Sequence, residues 1–154
     1  MADGPVWLDE DQQRVWRSLL QLTTRLPAVL NRQLEADSGL SLADMDVLVA
    51  LCDLPGGRSR VSGLASTLGW ERSRLSHQVA RMERAGLVRR QPCEDDGRGA
   101  YVAVTDAGRR VIASAAPAHV GFVRDLLVEA LDGDGLRQLG VLVDALLVRI
   151  ADGS

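Results

Sequence analysis

The sequence of 154 residues has little of the chemistry that builds metal centres or disulfide frameworks. Its two cysteines, Cys52 and Cys93, are too few to cross-link a fold, and this usage agrees with a reducing compartment. Its two histidines, His77 and His119, are too few and too widely separated to form a zinc site. No bound metal is therefore expected.

Motifs of catalysis and long apolar runs are also missing. The sequence has no phosphate-binding P-loop, no nucleophile elbow and no paired carboxylates beside a base, so neither an enzyme nor a cofactor is expected. Charged residues interrupt the apolar segments near the N-terminus, namely Asp9, Glu10, Arg14 and Arg17. No signal peptide, membrane-spanning helix or membrane partner is expected, and the predicted location is the cytoplasm.

Lysine is absent, and all 18 basic side chains are arginine. Arginine suits phosphate groups and guanine edges, but a genome-wide bias in base composition would remove lysine as well. The distribution of charge is more informative: residues 58–110 contain eleven arginines and six acidic residues, whereas the rest of the chain contains seven and fifteen. Although the net charge is −3, the middle segment carries +5. A basic segment between acidic flanks indicates an embedded phosphate-binding unit.

The N-terminal part of the chain has helical periodicity. Apolar residues recur at three- and four-residue steps over residues 9–35, which predicts a long amphipathic helix that Pro27 is expected to kink. A shorter helix is predicted to begin at Ser41 or Asp44 and to run to Cys52.

Two short helices follow, joined by a turn. Ser62 is predicted to cap the first, which runs to Leu68, and Gly69 forms the turn. The second is predicted over about residues 71–85 and ends before Gly86. Two short helices around a tight glycine-containing turn indicate a helix-turn-helix.

A hairpin is predicted next. Residues 87–91 are typical of a strand, and residues 100–105 alternate as its partner would. The segment between them, residues 94–99, is polar and rich in glycine. The hairpin, over about residues 89–103, forms a wing beside the helix-turn-helix.

The chain is predicted to be helical again after the hairpin, to about Leu131 and from Leu136 to Ile150, with a break at residues 132–135. Both terminal helical regions are dense in leucine and valine, so packing against a second copy in a symmetric dimer is expected. The predicted fold is mainly α with a small β-hairpin wing. It is one domain, residues 1–154, with a winged helix-turn-helix lobe at 41–108 and flanking dimerisation helices at 9–35 and 109–150.

The helix at 71–85 has two distinct faces at about 100° per residue. An apolar stripe comprises Leu75, Val79 and Met82, and a polar face opposite comprises Ser73, His77, Arg81 and Arg84. Such a helix can lie in a major groove with its N-terminal half at the base edges, although a solvated arginine-rich face would have the same pattern. Arg74, on the flank, is the candidate for a bidentate contact with guanine, and Arg81 and Arg84 are candidates for phosphate contacts.

Arg98 at the hairpin tip is a second candidate, because an arginine on a narrow protrusion can enter a minor groove. Asp96 is positioned to orient its guanidinium, although a charged hairpin tip is also ordinary turn chemistry. The candidate DNA-binding residues are Arg72, Ser73, Arg74, Ser76, His77, Gln78, Arg81, Asp96 and Arg98.

Three stretches in register, residues 64–69, 74–90 and 96–108, resemble the MarR (multiple antibiotic resistance regulator) family of winged helix-turn-helix transcriptional regulators. In that resemblance Asp96 and Arg98 match the family's wing-tip Asp-x-Arg, and residues 72–84 match its recognition helix. The resemblance implies a twofold dimer built from the terminal helices, pseudo-palindromic double-stranded operators, and release from DNA when a phenolic or other small aromatic effector binds.

The resemblance also implies an effector pocket between the dimerisation helices and the winged lobe. Trp16, Leu20, Met45 and Leu48 are the candidates to line it, with Arg17 as an anchor for an anion, although each also suits core or dimer packing. The predicted function is a sequence-specific, double-stranded DNA-binding regulator, a repressor released by a small effector.

Two alternatives remain open. A winged helix can serve as a protein-interaction module, and binding would then be insensitive to salt. The chain could instead be an oxidant-responsive DNA-binding regulator, in which Cys93 beside the wing is the sensor and Cys52 is expected to be buried and inert.

Overall fold

The structure is a computed structural model, and it describes residues 7–92 and 100–153. The chain forms two compact units, the first ending at Ile112 and the second beginning at Ala113. The elements, in chain order, are α1 Glu10–Ser38, α2 Leu42–Cys52, β1 Arg58–Arg60, α3 Val61–Leu68, α4 Arg72–Arg84, β2 Val88–Pro92, β3 Ala100–Val104, α5 Asp106–Val123 and α6 Gly133–Asp152. This mainly α architecture with one small sheet confirms the predicted fold class.

Both N-terminal helices begin with reciprocal capping bonds. The backbone N–H of Gln12 donates to Asp9 at 2.8 Å, and the N–H of Asp9 donates to the Gln12 side chain at 3.1 Å. Ser41 and Asp44 make the same exchange at the start of α2. These bonds satisfy backbone donors that a helix start otherwise leaves without partners. Pro27 lies inside the continuous helix α1.

The helix-turn-helix is formed by α3 and α4. Gly69 ends α3 with φ +63°, a left-handed conformation that favours glycine, and the N–H of Trp70 donates to the carbonyl of Ala65 at 2.9 Å. The prediction that Ser62 caps α3 is wrong. The helix begins at Val61 after Arg60, which makes no side-chain capping bond, because β1 leads directly into it.

The three strands form an antiparallel sheet in the order β1-β3-β2. The predicted hairpin corresponds to β2 and β3, whereas β1 was not predicted. Val88 pairs with Val104, and Arg90 pairs with Val102, so these side chains share one face of the sheet. The three valines are buried there. The fully buried side chains of the core also include Leu34, Leu48, Leu51, Leu64, Leu75, Val79 and Met82.

The start of α5 lies very close to the turn at Gly86 and Leu87 that follows α4. Thr105 Oγ1 donates to the carbonyl of Gly86 at 2.6 Å and accepts from the N–H of Gly108 at 3.0 Å. A Cβ added at Gly108 would overlap the carbonyl oxygen of Leu87 and would lie 3.2 Å from Cδ2 of Leu48. Glycine therefore permits this approach of α5.

The second unit consists of the end of α5, a π-helical turn at Arg124–Val128 and α6. Asp132 caps α6 by accepting from the N–H of Gly135 at 2.7 Å, so residues 133–135, predicted as a break, form the first helical turn. The helical stretch Asp106–Val128 is long and apolar enough to cross a membrane by length and composition alone. An amphipathic helix with an uncovered apolar face meets the same criterion.

Candidate nucleic-acid interface

The two faces of α4 lie as the helical periodicity predicts. Leu75, Val79 and Met82 are at most 1% exposed and pack into the core of the lobe. The polar side chains opposite are exposed, namely Ser73, His77, Arg81 and Arg84. The helix therefore presents a polar surface that includes two guanidinium groups near its C-terminal end, and we call this set of four residues the α4 surface.

The N-terminal turn of α4 carries two further exposed arginines, Arg72 and Arg74. The guanidinium carbon of Arg74 lies 4.1 Å from the ring centroid of Trp70, the half-buried residue that precedes the helix. At this distance the contact is a cation–π interaction. Ser76 is half-buried, and its carbonyl accepts a hydrogen bond from Arg90 at 3.2 Å.

Gln78 and Arg81 are tied to the start of α2 by a cluster around Asp44, which is only 6% exposed. The Gln78 amide donates to Asp44 Oδ1 at 2.7 Å, and Nη2 of Arg81 donates to the same oxygen at 2.9 Å and to Ser41 Oγ at 2.8 Å. The side chain of Arg81 remains 51% exposed. Two of the predicted DNA-binding residues are thus held in fixed orientations, and one of them still faces solvent.

The same cluster is linked to α1. The backbone N–H of Leu42, the first residue of α2, donates to Asn31 Oδ1 at 2.8 Å. A polar path therefore runs from α1 through the start of α2 to α4. Sequence reasoning identified Ser41 and Asp44 as a helix start but missed Asn31 and the role of Asp44 in holding α4.

The sheet adds cations that the sequence analysis did not select. The guanidinium carbons of Arg58 and Arg60, both in β1, lie 5.1 Å and 5.7 Å from the ring centroid of Tyr101. On β2, the N–H of Arg90 donates to Glu83 of α4 at 2.8 Å. In the sequence, the excess of arginine within residues 58–110 was the signal that could have indicated these residues. It did not indicate their positions in the fold.

The other predicted residues are either outside the described part of the chain or on α1 and in the core. Asp96, Arg98 and Cys93 lie outside the described residues, and β2 and β3 lead toward that segment. Met45 and Leu48 are buried in the core, whereas Trp16, Arg17 and Leu20 are exposed on α1. The five candidates for the effector pocket therefore do not share one environment in a single chain.

Cys52 is half-buried rather than buried as predicted, and its Sγ lies 4.0 Å from Nη1 of Arg109. Among residues 7–92 and 100–153, no group of three or more histidine, cysteine or acidic side chains is arranged to hold a metal ion.

Comparison with known proteins gives concordant results. The model of the MarR family matches residues 38–99. Among solved structures, the chain is similar to Sco3205, a MarR family transcriptional regulator from Streptomyces coelicolor in complex with DNA. The two are 38% identical, the similarity covers 93% of this chain and 90% of that chain, and the TM-score is 0.88. No curated protein matches the chain.

Two other structures extend the comparison. AbsC, a MarR family transcriptional regulator from Streptomyces coelicolor, is 34% identical over 96% of this chain and 99% of its own, with a TM-score of 0.89. The organohalide-sensing regulator RdhR-CbdbA1625, solved in a form that binds 2,4-dichlorophenol, is 19% identical over 95% of this chain and 86% of its own, with a TM-score of 0.79. At that identity the likeness concerns the fold alone.

Proposed function

Because the chain belongs to the MarR family of transcriptional regulators, we propose that it binds double-stranded DNA as a homodimer and represses transcription until a small effector releases it. Membership of this family makes it a transcriptional regulator and not an enzyme. The observation that carries the proposal is the α4 surface, a row of exposed polar and cationic side chains opposite a fully buried apolar stripe. A helix of this kind can enter a major groove while its other face holds it to the core.

Each part of α4 has a role in this proposal. The residues of its N-terminal half face the base edges, namely Arg72, Ser73, Arg74, Ser76, His77 and Gln78. Arg74 makes the bidentate contact with guanine, which is worth about 1–3 kcal/mol of discrimination. Arg81 and Arg84, nearer the C-terminus, contact phosphates and set the register. Arg98 enters the adjacent minor groove with Asp96 orienting it.

Dimerisation is supported by apolar side chains that one chain leaves in water. On α6, Val141, Leu142, Leu147 and Ile150 are each 59–69% exposed, and Trp16 on α1 is 52% exposed. Exposed apolar surface of this extent indicates an interaction site. A twofold dimer would present its two recognition helices about 34–36 Å apart, which requires a pseudo-palindromic operator.

Effector release rests on the family and on one distant neighbour, the regulator solved with 2,4-dichlorophenol. A phenolic or other small aromatic ligand would act by binding one dimer conformation more tightly than the other. We propose that Trp16, Arg17, Leu20, Met45 and Leu48 contribute to its pocket. Since Trp16 and Leu20 are exposed in one chain, that pocket would need a second chain to cover them.

The test is fluorescence anisotropy with a duplex taken from upstream of the chain's own gene and with an unrelated duplex of equal length. Arg74→Ala should weaken binding to the specific duplex by about 5- to 150-fold, the equivalent of one bidentate base contact, and should weaken binding to the unrelated duplex much less. Arg98→Ala should weaken both. The matched control is Arg14→Ala, because Arg14 is on α1 and pairs with Asp11 at the surface. Unchanged binding in both variants would contradict the assignment of α4 and the wing.

The salt dependence of the same measurement separates DNA binding from a protein-interaction role. If phosphates are neutralised, the logarithm of affinity falls linearly with the logarithm of salt concentration, and Arg84→Ala should reduce the slope by about one. An affinity for the duplex that does not change with salt concentration would favour the alternative in which the winged helix is a protein-interaction module. For the oxidant-responsive alternative, Cys93→Ser would abolish an effect of peroxide on DNA release.

A further inference from the structure

The face of the sheet turned away from α4 contains a recess that the proposed DNA contacts do not use. Arg90 lies on the same sheet face as Val88 and Val102, and its guanidinium reaches the carbonyl of Ser76, so α4 lies on that face. The recess lies in the first unit on the other face, with a volume of about 430 Å³. That volume is within the range of about 300–1,000 Å³ typical of small-molecule sites.

Three arginines from three different elements line this recess, which we call the arginine cleft: Arg58 of β1, Arg89 of β2 and Arg109 of α5. Arg58 and Arg89 both pair with Ala103 of β3, so the two long side chains flank one small, buried side chain. Gly57 allows the third cation to approach, because a Cβ there would overlap the guanidinium of Arg109. The cleft is thus built by the register of the sheet and by a glycine.

The described residues around the cleft do not neutralise its charge. Among them, Asp106 is the one acidic residue in the lining. None of the three arginines forms an ion pair with any residue in the described part of the chain. Three guanidinium groups and one carboxylate leave a charge of about +2 in a concave site, where the potential is concentrated.

We propose that the arginine cleft binds a small dianion, such as a phosphate monoester or a dicarboxylate. Guanidinium groups recognise both by paired N–H···O bonds. The main-chain and small side-chain floor, which includes Gly56 and Ala103, leaves room for a compact ligand. Such a ligand would bridge Arg89 of β2, the strand that leads into the wing, and Arg109 near the start of α5. The proposal does not depend on DNA binding, and it concerns a site distinct from the candidate effector pocket.

The experiment is isothermal titration calorimetry of the full chain without DNA, at pH 7.5 and constant ionic strength. The probes are inorganic phosphate and malonate, with acetate as the monoanion. We expect saturable binding of one dianion per chain, and a preference for phosphate or malonate distinguishes the two ligand sources. Arg89→Ala and Arg109→Gln should each weaken binding at least tenfold. Arg110→Ala is the matched control, since this neighbour is exposed on α5 outside the cleft, and it should change affinity less than twofold.

Circular dichroism melts establish that each variant is folded. Arg89→Ala is the variant least coupled to the core, because Arg89 is exposed on a strand. Three outcomes would overturn the proposal. The first is the absence of saturable binding. The second is equal weakening by Arg89→Ala and Arg110→Ala, which would indicate diffuse surface charge. The third is a loss of duplex affinity in Arg89→Ala with unchanged phosphate binding, which would make the cleft a DNA-backbone contact.

Discussion

At the scale of single residues, the carboxylate of Asp44 gathers four hydrogen bonds where little water reaches it. Its donors are the N–H and hydroxyl of Ser41 at 2.9 Å and 2.6 Å, the Gln78 amide at 2.7 Å and the Arg81 guanidinium at 2.9 Å. These bonds fix two side chains of α4 relative to α2. The placement of the helix against its neighbours therefore depends on one side chain that would not itself touch DNA.

Asp44→Ala should lower the free energy of unfolding by about 2–3 kcal/mol, because it removes one acceptor group and leaves several partly buried donors unpaired. The measurement is urea unfolding at a fixed protein concentration, since a dimer's stability depends on concentration. Asp37→Ala is the control: Asp37 is exposed and accepts from Gln33 at 2.8 Å within α1, so its loss should cost less than about 0.5 kcal/mol. Equal effects of the two substitutions would contradict this role of Asp44.

Whether the sequence could predict a feature at this scale depends on how far apart in the chain the interacting residues are. The exposed and buried positions of α4 were predictable, because they depend only on the local helical repeat. The bond from Gln78 to Asp44 spans 34 residues and depends on how α2 and α4 pack. No local pattern encodes such a contact. The incorrect prediction that Cys52 is buried has the same cause. The thiol of Cys52 is partly exposed and lies beside Arg109, a residue distant in the chain.

At the scale of secondary-structure elements, the helices with strong periodicity were predicted to within a few residues, whereas β1 was missed. Its sequence, Arg58-Ser59-Arg60, contains neither a β-branched nor an aromatic residue, and it is a strand only because it pairs with β3. The prediction of a break at residues 132–135 misjudged Asp132. Aspartate followed by glycine suits a turn, but here it caps α6.

The junction of β3 and α5 gives a second prediction. Gly108→Ala should destabilise the fold by about 3 kcal/mol, because the added methyl group would meet the main-chain carbonyl of Leu87 and press against the Leu48 side chain. Gly63→Ala on α3 is the matched control. The nearest atom to its added Cβ is the Ser59 hydroxyl oxygen at 3.3 Å, a side-chain atom and not main chain, so the change should stay below about 1 kcal/mol.

Thermal and urea unfolding of both alanine variants measure the difference. A Gly108→Ala protein as stable as the parent would indicate that α5 does not approach Leu87 this closely.

At the scale of the whole molecule, the exposed apolar side chains of α6 should decide the oligomeric state. Leu146, 49% exposed in one chain, projects from the side of α6 opposite Asp144. Leu146→Arg would place a charge in the proposed dimer interface, where removing it from water costs several kcal/mol. We expect the dimer dissociation constant to rise at least 100-fold, as measured by analytical ultracentrifugation over a range of concentrations.

Asp144→Arg introduces the same guanidinium at a position of α6 that already carries a charge, and it should change the dissociation constant far less. If Leu146→Arg remained a dimer at the parent's affinity, α6 would not be the dimer interface. Loss of duplex binding together with loss of the dimer would link the oligomeric state to the proposed function.

The stacking of Arg74 on Trp70 affects affinity and discrimination differently. A free arginine side chain loses about 0.5–1.5 kcal/mol of rotamer entropy when a partner immobilises it. Arg74 already rests on an indole at 4.1 Å, so part of that ordering precedes any encounter. This reduction in the entropy lost on binding is the same for every nucleotide sequence that Arg74 contacts. Trp70 therefore favours tight association in general, and the choice among base pairs is left to hydrogen-bond geometry.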